Sequence, residues 1–288
     1  MQSLKAANQH WKPNYKEREI THMPEILITG AGSGFGEGTA LGLAQKGHNV
    51  IAAVQTWPQV TAMREKASSL GLKTLSVEKL DLLDKYDVAH ALKLKFDILV
   101  NNAGIGEGGP MSEIPVDLVR ENFETNVFSA LDFTQRVVRN WVATGIKGKV
   151  VFTSSVVGLL TVPPIPAYAA SKHAVQSIAE AMYEELKPFG IQVQTINPGP
   201  YLTGFNETVV EAGLRWLNDD VNFIKRDAFK KVVDGLLGKP EGRLDPKDMI
   251  AKMIEVIPSR EGKFLNIFPP SSEEWVKSYQ QQLYDRTI

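Results

Sequence analysis

Two side chains near the start of one segment are the first that could act together. In "PAYAASKHAVQSIAEAMYEEL" (166–186), Tyr168 and Lys172 stand four residues apart. Four helical residues rise about 6 Å, so both polar heads reach the same small volume. A phenol has an ordinary pKa of about 10 and is a poor base at neutral pH; a neighbouring ammonium favours its ionised form. Tyrosine–lysine pairs at this spacing are also common on solvated helix faces, so the rest of the chain must decide.

The elements that would position the pair alternate regularly. Strand-like runs are "EILIT" (25–29), "NVIAAV" (49–54), "KTLSVEKL" (73–80), "DILVN" (97–101), "KVVFTS" (149–154), "IQVQTI" (191–196) and "FLNIF" (264–268). Several are apolar on both faces, as in strands covered by helices on two sides. Helical patterns fill 35–46, 58–70, 84–94, 115–144, 167–188 and 245–257. This alternation predicts an α/β fold of the Rossmann type, a single doubly wound parallel sheet of about seven strands with right-handed crossovers. Residues 204–243 interrupt it with two helical pieces and read as a substrate lid before the last strand. Residues 23–288 are expected to form one domain, with 269–288 as a C-terminal tail. Residues 1–22 are expected to be a flexible arm or an oligomer contact, with Met23 an alternative start.

After the first strand comes "ITGAGSGFGEGTALGLAQKG". Gly30, Gly34 and Gly36 in a strand–turn–helix context permit a tight turn, close approach of an anion and packing of helix on sheet. The helix N-terminus then offers free N–H groups to a phosphate. The spacing is G-x-x-x-G-x-G, and no G-K-[ST] follows, which excludes a Walker loop.

Composition narrows the function class. The 288 residues carry 32 basic and 33 acidic side chains, so nothing in the net charge points to nucleic acid or an anionic membrane. With no cysteine, thiolate catalysis, disulfides and zinc–thiolate sites are excluded. The five histidines are scattered and suggest no metal site. No run approaches the roughly 20 apolar residues of a membrane span, and residues 1–22 lack the apolar centre of a secretory signal. A cytoplasmic location is the expectation.

"TGAGSGFG", "NNAG" (101–104), "SSVVGLLTVPPIPAYAASK" and "NPGPYLT" follow one another in the order of the short-chain dehydrogenase/reductase family, and the chain resembles that family from about residue 24 to 268. The resemblance implies Tyr168 as catalytic acid/base, Lys172 as its activator, Ser155 as the serine that orients substrate and Asn126 as the asparagine that holds a relay water. It implies a dinucleotide held by Thr29, Gly30, Gly32, Ser33, Gly34, Phe35 and Gly36, by Asp81 and Leu82 near the adenine, and by Asn102, Ala103 and Gly104. Pro198, Gly199, Leu202 and Thr203 complete that set on the nicotinamide side, with Tyr168 and Lys172. The activity implied is NAD(P)-dependent interconversion of an alcohol and a ketone or aldehyde, in a homodimer or homotetramer paired through 115–144 and 167–188. The alternative is a dinucleotide-binding regulator or scaffold that keeps the fold without catalysis.

At the end of the second strand Val54 stands where an NAD-type aspartate would, and Gln55 where an NADP-type arginine often stands. With no carboxylate to repel a 2′-phosphate, the expectation is NADP. Candidate substrate positions are apolar: Ile105, Val156, Leu160, Val162, Ile165, Tyr201, Phe205 and Trp216. They suggest a hydrophobic or aromatic substrate, with "GIGEGGP" (104–110) as a flexible loop beside it. His173 is read as structural, and the basic run at 225–231 as a solvated lid face.

Overall fold

The computed structural model describes residues 24–201, 203–237 and 244–287. The expected arm at 1–22, Leu202 and part of the expected lid (238–243) lie outside them.

Seven strands form one sheet: β1 (Glu25–Thr29), β2 (Asn49–Val54), β3 (Leu75–Lys79), β4 (Ile98–Asn101), β5 (Lys149–Thr153), β6 (Gln192–Pro198) and β7 (Leu265–Phe268). They lie in the order β3-β2-β1-β4-β5-β6-β7, every neighbouring pair parallel. The helices are α1 (Gly34–Gln45), α2 (Trp57–Ser69), α3 (Lys85–Ala91), α4 (Val116–Phe123), α5 (Ala130–Thr144), α6 (Pro166–Leu186), α7 (Phe205–Trp216), α8 (Arg226–Leu237), α9 (Pro246–Val256) and α10 (Pro270–Tyr284). This is the Rossmann-type α/β fold expected from the alternation.

Alternation along each strand divides the core in two. Leu27, Ile51, Leu99, Val150 and Phe152 pack with Phe133 and Trp141 of α5 and Met182 of α6. Ile26, Ile28, Val50, Val100 and Val151 pack on the opposite face with Leu43 of α1 and Met249 and Met253 of α9. α1 and α9 lie close together, for a Cβ at Gly38 or Gly42 would fall 2.4 Å or 2.2 Å from a methyl of Ile250 or Ile254. Strand order reverses between β1 and β4, and in open α/β sheets the crevice beyond such a switch point receives the ligand. The turns that follow these two strands are the glycine-rich turn and the "NNAG" turn.

Three expectations are corrected. The helix expected over 115–144 is interrupted by a π-helical stretch at Glu124–Ser129 that contains Asn126. Such widened turns leave the regular i→i−4 ladder and re-aim side chains, often at functional sites. The segment expected as a tail is the helix α10, with Val276 buried against the loop after β5. Its polar sequence hides a narrow apolar face of Val276 and Tyr279 (partly buried). The helix expected over 84–94 spans seven residues, Lys85–Ala91, consistent with the few residues available between Asp81 and β4. Among the described residues no helix is long and apolar enough to cross a membrane.

Lys149, at the start of β5, is 2 % exposed. Its Nζ donates to the carbonyls of Val256, Ile257 and Ser259 at 2.9, 3.0 and 2.5 Å, satisfying the end of α9. Burial, and secondarily Arg260, pulls its pKa down to about 7, while the three carbonyls oppose that shift by favouring the ammonium. Lys149→Met keeps the apolar stem and strips three buried carbonyls of their donor. It should cost about 3 kcal/mol in urea unfolding, with little change in the far-ultraviolet spectrum of the folded state.

Candidate active site

The glycine-rich turn is held to β4 by one hydroxyl. Thr29 Oγ1 accepts from the N–H of Asn102 (3.0 Å) and of Ala103 (3.1 Å), and donates to the carbonyl of Val100 (3.3 Å). Asn102 returns the contact, its Nδ2 donating to the carbonyls of Thr29 (3.1 Å) and Gly30 (3.2 Å). The turns touch so closely that a Cβ on Gly30 would lie 2.7 Å from Ala103 Cα, and Gly30 has a φ of +64°, which favours glycine. A Cβ on Gly36 would lie 2.4 Å from the Gly30 carbonyl oxygen. Ser33 precedes α1 without a side-chain cap, leaving the first N–H groups of the helix available to an anion.

Above these turns lies a cavity of about 950 Å³ that runs along the carboxyl ends of the central strands. One end is lined by Gly30, Gly32, Ser33, Gly34, Phe35, Gln55, Asp81 and Leu82. Asn102, Ala103, Gly104, Pro198, Gly199 and Thr203 line its middle, and Ser155, Tyr168 and Lys172 stand on one wall. Thr29 and Gly36 are not on the surface; they hold the turns from behind. Gln55 Nε2 donates to Asp81 Oδ2 at 3.3 Å, joining the ends of β2 and β3.

α6 carries Tyr168 and Lys172 on its buried face. Lys172 Nζ donates to the carbonyl of Thr153 at 2.8 Å and lies 5.6 Å from the centre of the Tyr168 ring. Ser155 caps a short 3-10 turn by accepting from the N–H of Val157 at 3.3 Å, its hydroxyl donates to the Pro198 carbonyl at 3.5 Å, and it is near enough to Tyr168 to favour the ionised phenol. Ser154 instead donates to the Lys172 carbonyl. Asn126 lies behind the wall: it accepts from the N–H of Ile105 (2.8 Å) and donates to the Ile105 carbonyl (2.8 Å) and to Ser171 Oγ (3.0 Å). His173 contacts the Ala169 carbonyl through Nδ1, within its own helix.

The electrostatics differ from those expected of an ammonium beside a phenol. Burial pushes the Tyr168 hydroxyl above its ordinary pKa, nearby Ser155 pulling the other way, and burial lowers Lys172 to about 8. With Nζ engaged by the Thr153 carbonyl, desolvation outweighs the ammonium's pull on the phenol.

Of the expected substrate positions, Ile105, Val156, Val162, Ile165, Tyr201 and Phe205 line the cavity. Leu160 does not; it is fully buried beneath Val156 and Val157. Trp216 does not either, because its Nε1 donates to the Gly108 carbonyl at 3.0 Å and its ring covers Gly109. The loop expected to be flexible is packed by α7 instead. A Cβ on Gly108 would lie 2.3 Å from the Val209 carbonyl oxygen, and one on Gly109 2.1 Å from the Trp216 ring. Glu113 fastens the far side of the covering segment, accepting from the N–H of Phe223 (2.8 Å) and Ile224 (2.9 Å).

Sequence reasoning missed Gln59, Glu107, Arg215 and Trp275, which also line the cavity. Gln59 was legible as the third residue after the helix cap Thr56, with which it forms a capping box. Trp275, a lone aromatic in polar α10, carried no signal of its destination. Among the described residues no cluster able to hold a metal is present.

A family model described as short chain dehydrogenase matches residues 24–213. The chain belongs to that family. The oxidoreductase YusZ of Bacillus subtilis, named as uncharacterized, is 31% identical over 77% of this chain and 80% of its own. The NADPH-dependent 3-dehydrocapnine reductase of Ornithobacterium rhinotracheale is 33% identical over 63% of this chain and 66% of its own. A short-chain dehydrogenase/reductase from Burkholderia phymatum, solved in complex with NAD, superposes with a TM-score of 0.76 at 24% identity over 94% of this chain and 98% of its own. The chain is therefore an oxidoreductase of the short-chain dehydrogenase family.

The seam between α7 and the glycine loop is testable. Gly108→Val places side-chain atoms against the backbone of Val209 and should destabilise the protein by about 2 kcal/mol. Limited proteolysis should then cut within 217–225 several-fold faster than in the parent.

Proposed function

We propose that the protein is an NAD(P)(H)-dependent oxidoreductase that interconverts a secondary alcohol with a ketone, or an alcohol with an aldehyde, on a hydrophobic or aromatic substrate. The observation that carries this reading is the meeting of Ser155, Tyr168 and Lys172 on one wall of the cavity whose floor is the glycine-rich turn. A dinucleotide fits the residues present. The uncapped start of α1 faces the turn, the glycines leave room for a pyrophosphate, and the cavity is at the upper end of the range for small-molecule sites. Gly32, Ser33, Gly34 and Phe35 would hold the phosphates, Asp81 and Leu82 the adenine side, and Asn102 to Gly104 with Pro198, Gly199 and Thr203 the other half. When bound, the cofactor supplies or receives the hydride.

The chain's own residues handle the proton and the developing charge. Ser155 donates a hydrogen bond to the substrate oxygen as negative charge grows there, a role worth on the order of 3 kcal/mol of barrier. The Tyr168 hydroxyl gives its proton to that oxygen during reduction and takes it back during oxidation. Lys172 holds positive charge beside the phenol so that the ionised form is tolerated in a buried place. Asn126 keeps Ile105 in register and, through Ser171, holds the catalytic helix to the substrate loop. The relay water assigned to Asn126 by resemblance belongs to this proposal too, as does assembly as a homodimer or homotetramer.

For the cofactor we favour NADP(H). Val54 is fully buried and uncharged, and Gln55 stands at the ribose end. The similarity to an NADPH-dependent reductase points the same way. Among the described residues no lysine or arginine lines that end of the cavity, so the preference should be modest; calorimetric titration should give NADP tighter than NAD by less than about a hundredfold, or 2.7 kcal/mol.

Tyr168→Phe should lower kcat by a factor of about 10²–10⁴ in both directions with dinucleotide affinity retained, measured by nicotinamide absorbance over a panel of ketones and alcohols. Undiminished turnover would refute the assignment. Because burial raises the phenol's pKa, alcohol oxidation should climb with pH from 7 to 10 as the ionised fraction grows, and ketone reduction should not.

A further inference from the structure

Ser155 lies beyond the ladder of β5, which ends at Thr153. Two polar contacts tie the residues just before it to α6: Lys172 Nζ donates to the Thr153 carbonyl, and Ser154 Oγ donates to the Lys172 carbonyl. Ser155 itself is reached by a longer route. Its carbonyl accepts from the N–H of Gly158, within its own 3-10 turn, and from Asn197 Nδ2 of β6 at 3.0 Å. The same Nδ2 donates to Gln176 Oε1 of α6 at 3.2 Å, and Gln176 Nε2 donates to Glu180 Oε1 at 3.3 Å. Asn197 is fully buried and Gln176 is 4 % exposed.

The direction of this chain of hydrogen bonds is set by its ends. A main-chain carbonyl and an ionised carboxylate accept hydrogen bonds and donate none. With Ser155 at one end and Glu180 at the other, Asn197 must turn its –NH2 toward Ser155 and Gln176, and Gln176 must turn its –NH2 toward Glu180. Turned round, either amide would set oxygen against oxygen. Asn197 Oδ1 is then left buried with no hydrogen-bond partner among the described residues. An apolar side chain of similar size would avoid that cost; what the amide gives in return is its two donated bonds.

Gln176 also continues a pattern. Tyr168, Lys172 and Gln176 follow at intervals of four on the buried face of α6, so successive turns carry the proton donor, the charge beside it and the amide that reaches Ser155 through Asn197. Ser155 and Tyr168 come from different segments, yet both must meet one substrate oxygen. A misplacement of about 1 Å is enough to cost on the order of a hundredfold in rate.

We propose that Gln176 and Asn197 are positioning residues: through their paired amides α6 holds the main chain of Ser155, and so fixes the separation of the Ser155 and Tyr168 hydroxyls. The consequence for turnover rests on the oxidoreductase reading, while the placement of Ser155 against Tyr168 can be read spectroscopically without any substrate.

Gln176→Met keeps the length of the side chain and removes the acceptor. With a ketone that the parent reduces, it should lower kcat by about ten- to a hundredfold while the Kd for dinucleotide changes less than about twofold. Introduced into Ser155→Ala it should cost less than about a further threefold, because the hydroxyl it positions is already gone; general loosening of the fold would multiply instead. Glu180→Met, at an exposed position, releases the Gln176 amide to turn and should lower kcat at least about threefold, with the same silence in Ser155→Ala. An unchanged kcat in either variant, or a loss that multiplies with that of Ser155→Ala, overturns the proposal. The second readout uses protein labelled with carbon-13 at tyrosine Cζ, in which Tyr168→Phe identifies the Tyr168 resonance among seven. Ser155→Ala should move that resonance, Gln176→Met should move it in the same direction by at least half as much, and the double variant should add nothing. A Tyr168 resonance that stays in place in Gln176→Met also overturns the proposal. If no ketone is reduced yet the resonance follows Gln176, the catalytic reading falls and the placement of Ser155 by the two amides stands.

Discussion

One hydroxyl group organises the site. Thr29 stands at the last position of β1, where the sheet's order reverses, and its oxygen takes two N–H groups from the turn after β4. Those N–H groups leave the sheet at its switch point, beyond the reach of the strand ladder, and the Thr29 oxygen supplies the acceptor that the ladder no longer does. With Asn102 answering from the other side, two turns from distant parts of the chain become one rigid floor. The other parts of the site are placed relative to that floor. Lys172 points toward Gly104, whose Cβ position would lie 3.6 Å from its Nζ, and Asn126 clamps the next residue, Ile105.

Much of this was legible in the sequence because it depends on short-range pattern. Strands buried on both faces declare themselves as unbroken apolar runs, and six helix segments showed their period; all seven strands lie within a few residues of their expected places. The glycine-rich turn and the Tyr168–Lys172 spacing are local motifs, and so survive reading without coordinates. What escaped depends on contacts between distant segments. The widened turn at Glu124–Ser129 conserves helical composition and alters only the hydrogen-bond ladder, which no residue pattern announces. α10 is polar along most of its surface, and its one buried face is too narrow to read as amphipathic.

The misjudged residues share a cause. Leu160 and Trp216 were assigned to the cavity by proximity in sequence to residues that do line it, but their side chains turn into packing instead. The glycines at 106, 108 and 109 were taken for mobility, although they are glycine because α7 rests on the backbone there. The phenol's acidity was expected from two positive charges, the Lys172 ammonium and an oxidised nicotinamide, and in the protein by itself burial acts on both side chains and is the larger influence. In each case a composition was read correctly and a three-dimensional neighbour was missing.

α7 has two stripes with different duties. Gly213 and Trp216 seat the helix on the loop after β4, Thr208, Ala212 and Arg215 look into the cavity, and Val209 and Phe205 do both. The attachment is therefore made by one set of positions and the ligand is met largely by another. Changes at Thr208, Ala212 and Arg215 can remodel what the enzyme accepts while the seat made by Gly213 and Trp216 stays as it was. Such a separation lets a lineage drift toward new molecules without first loosening its roof.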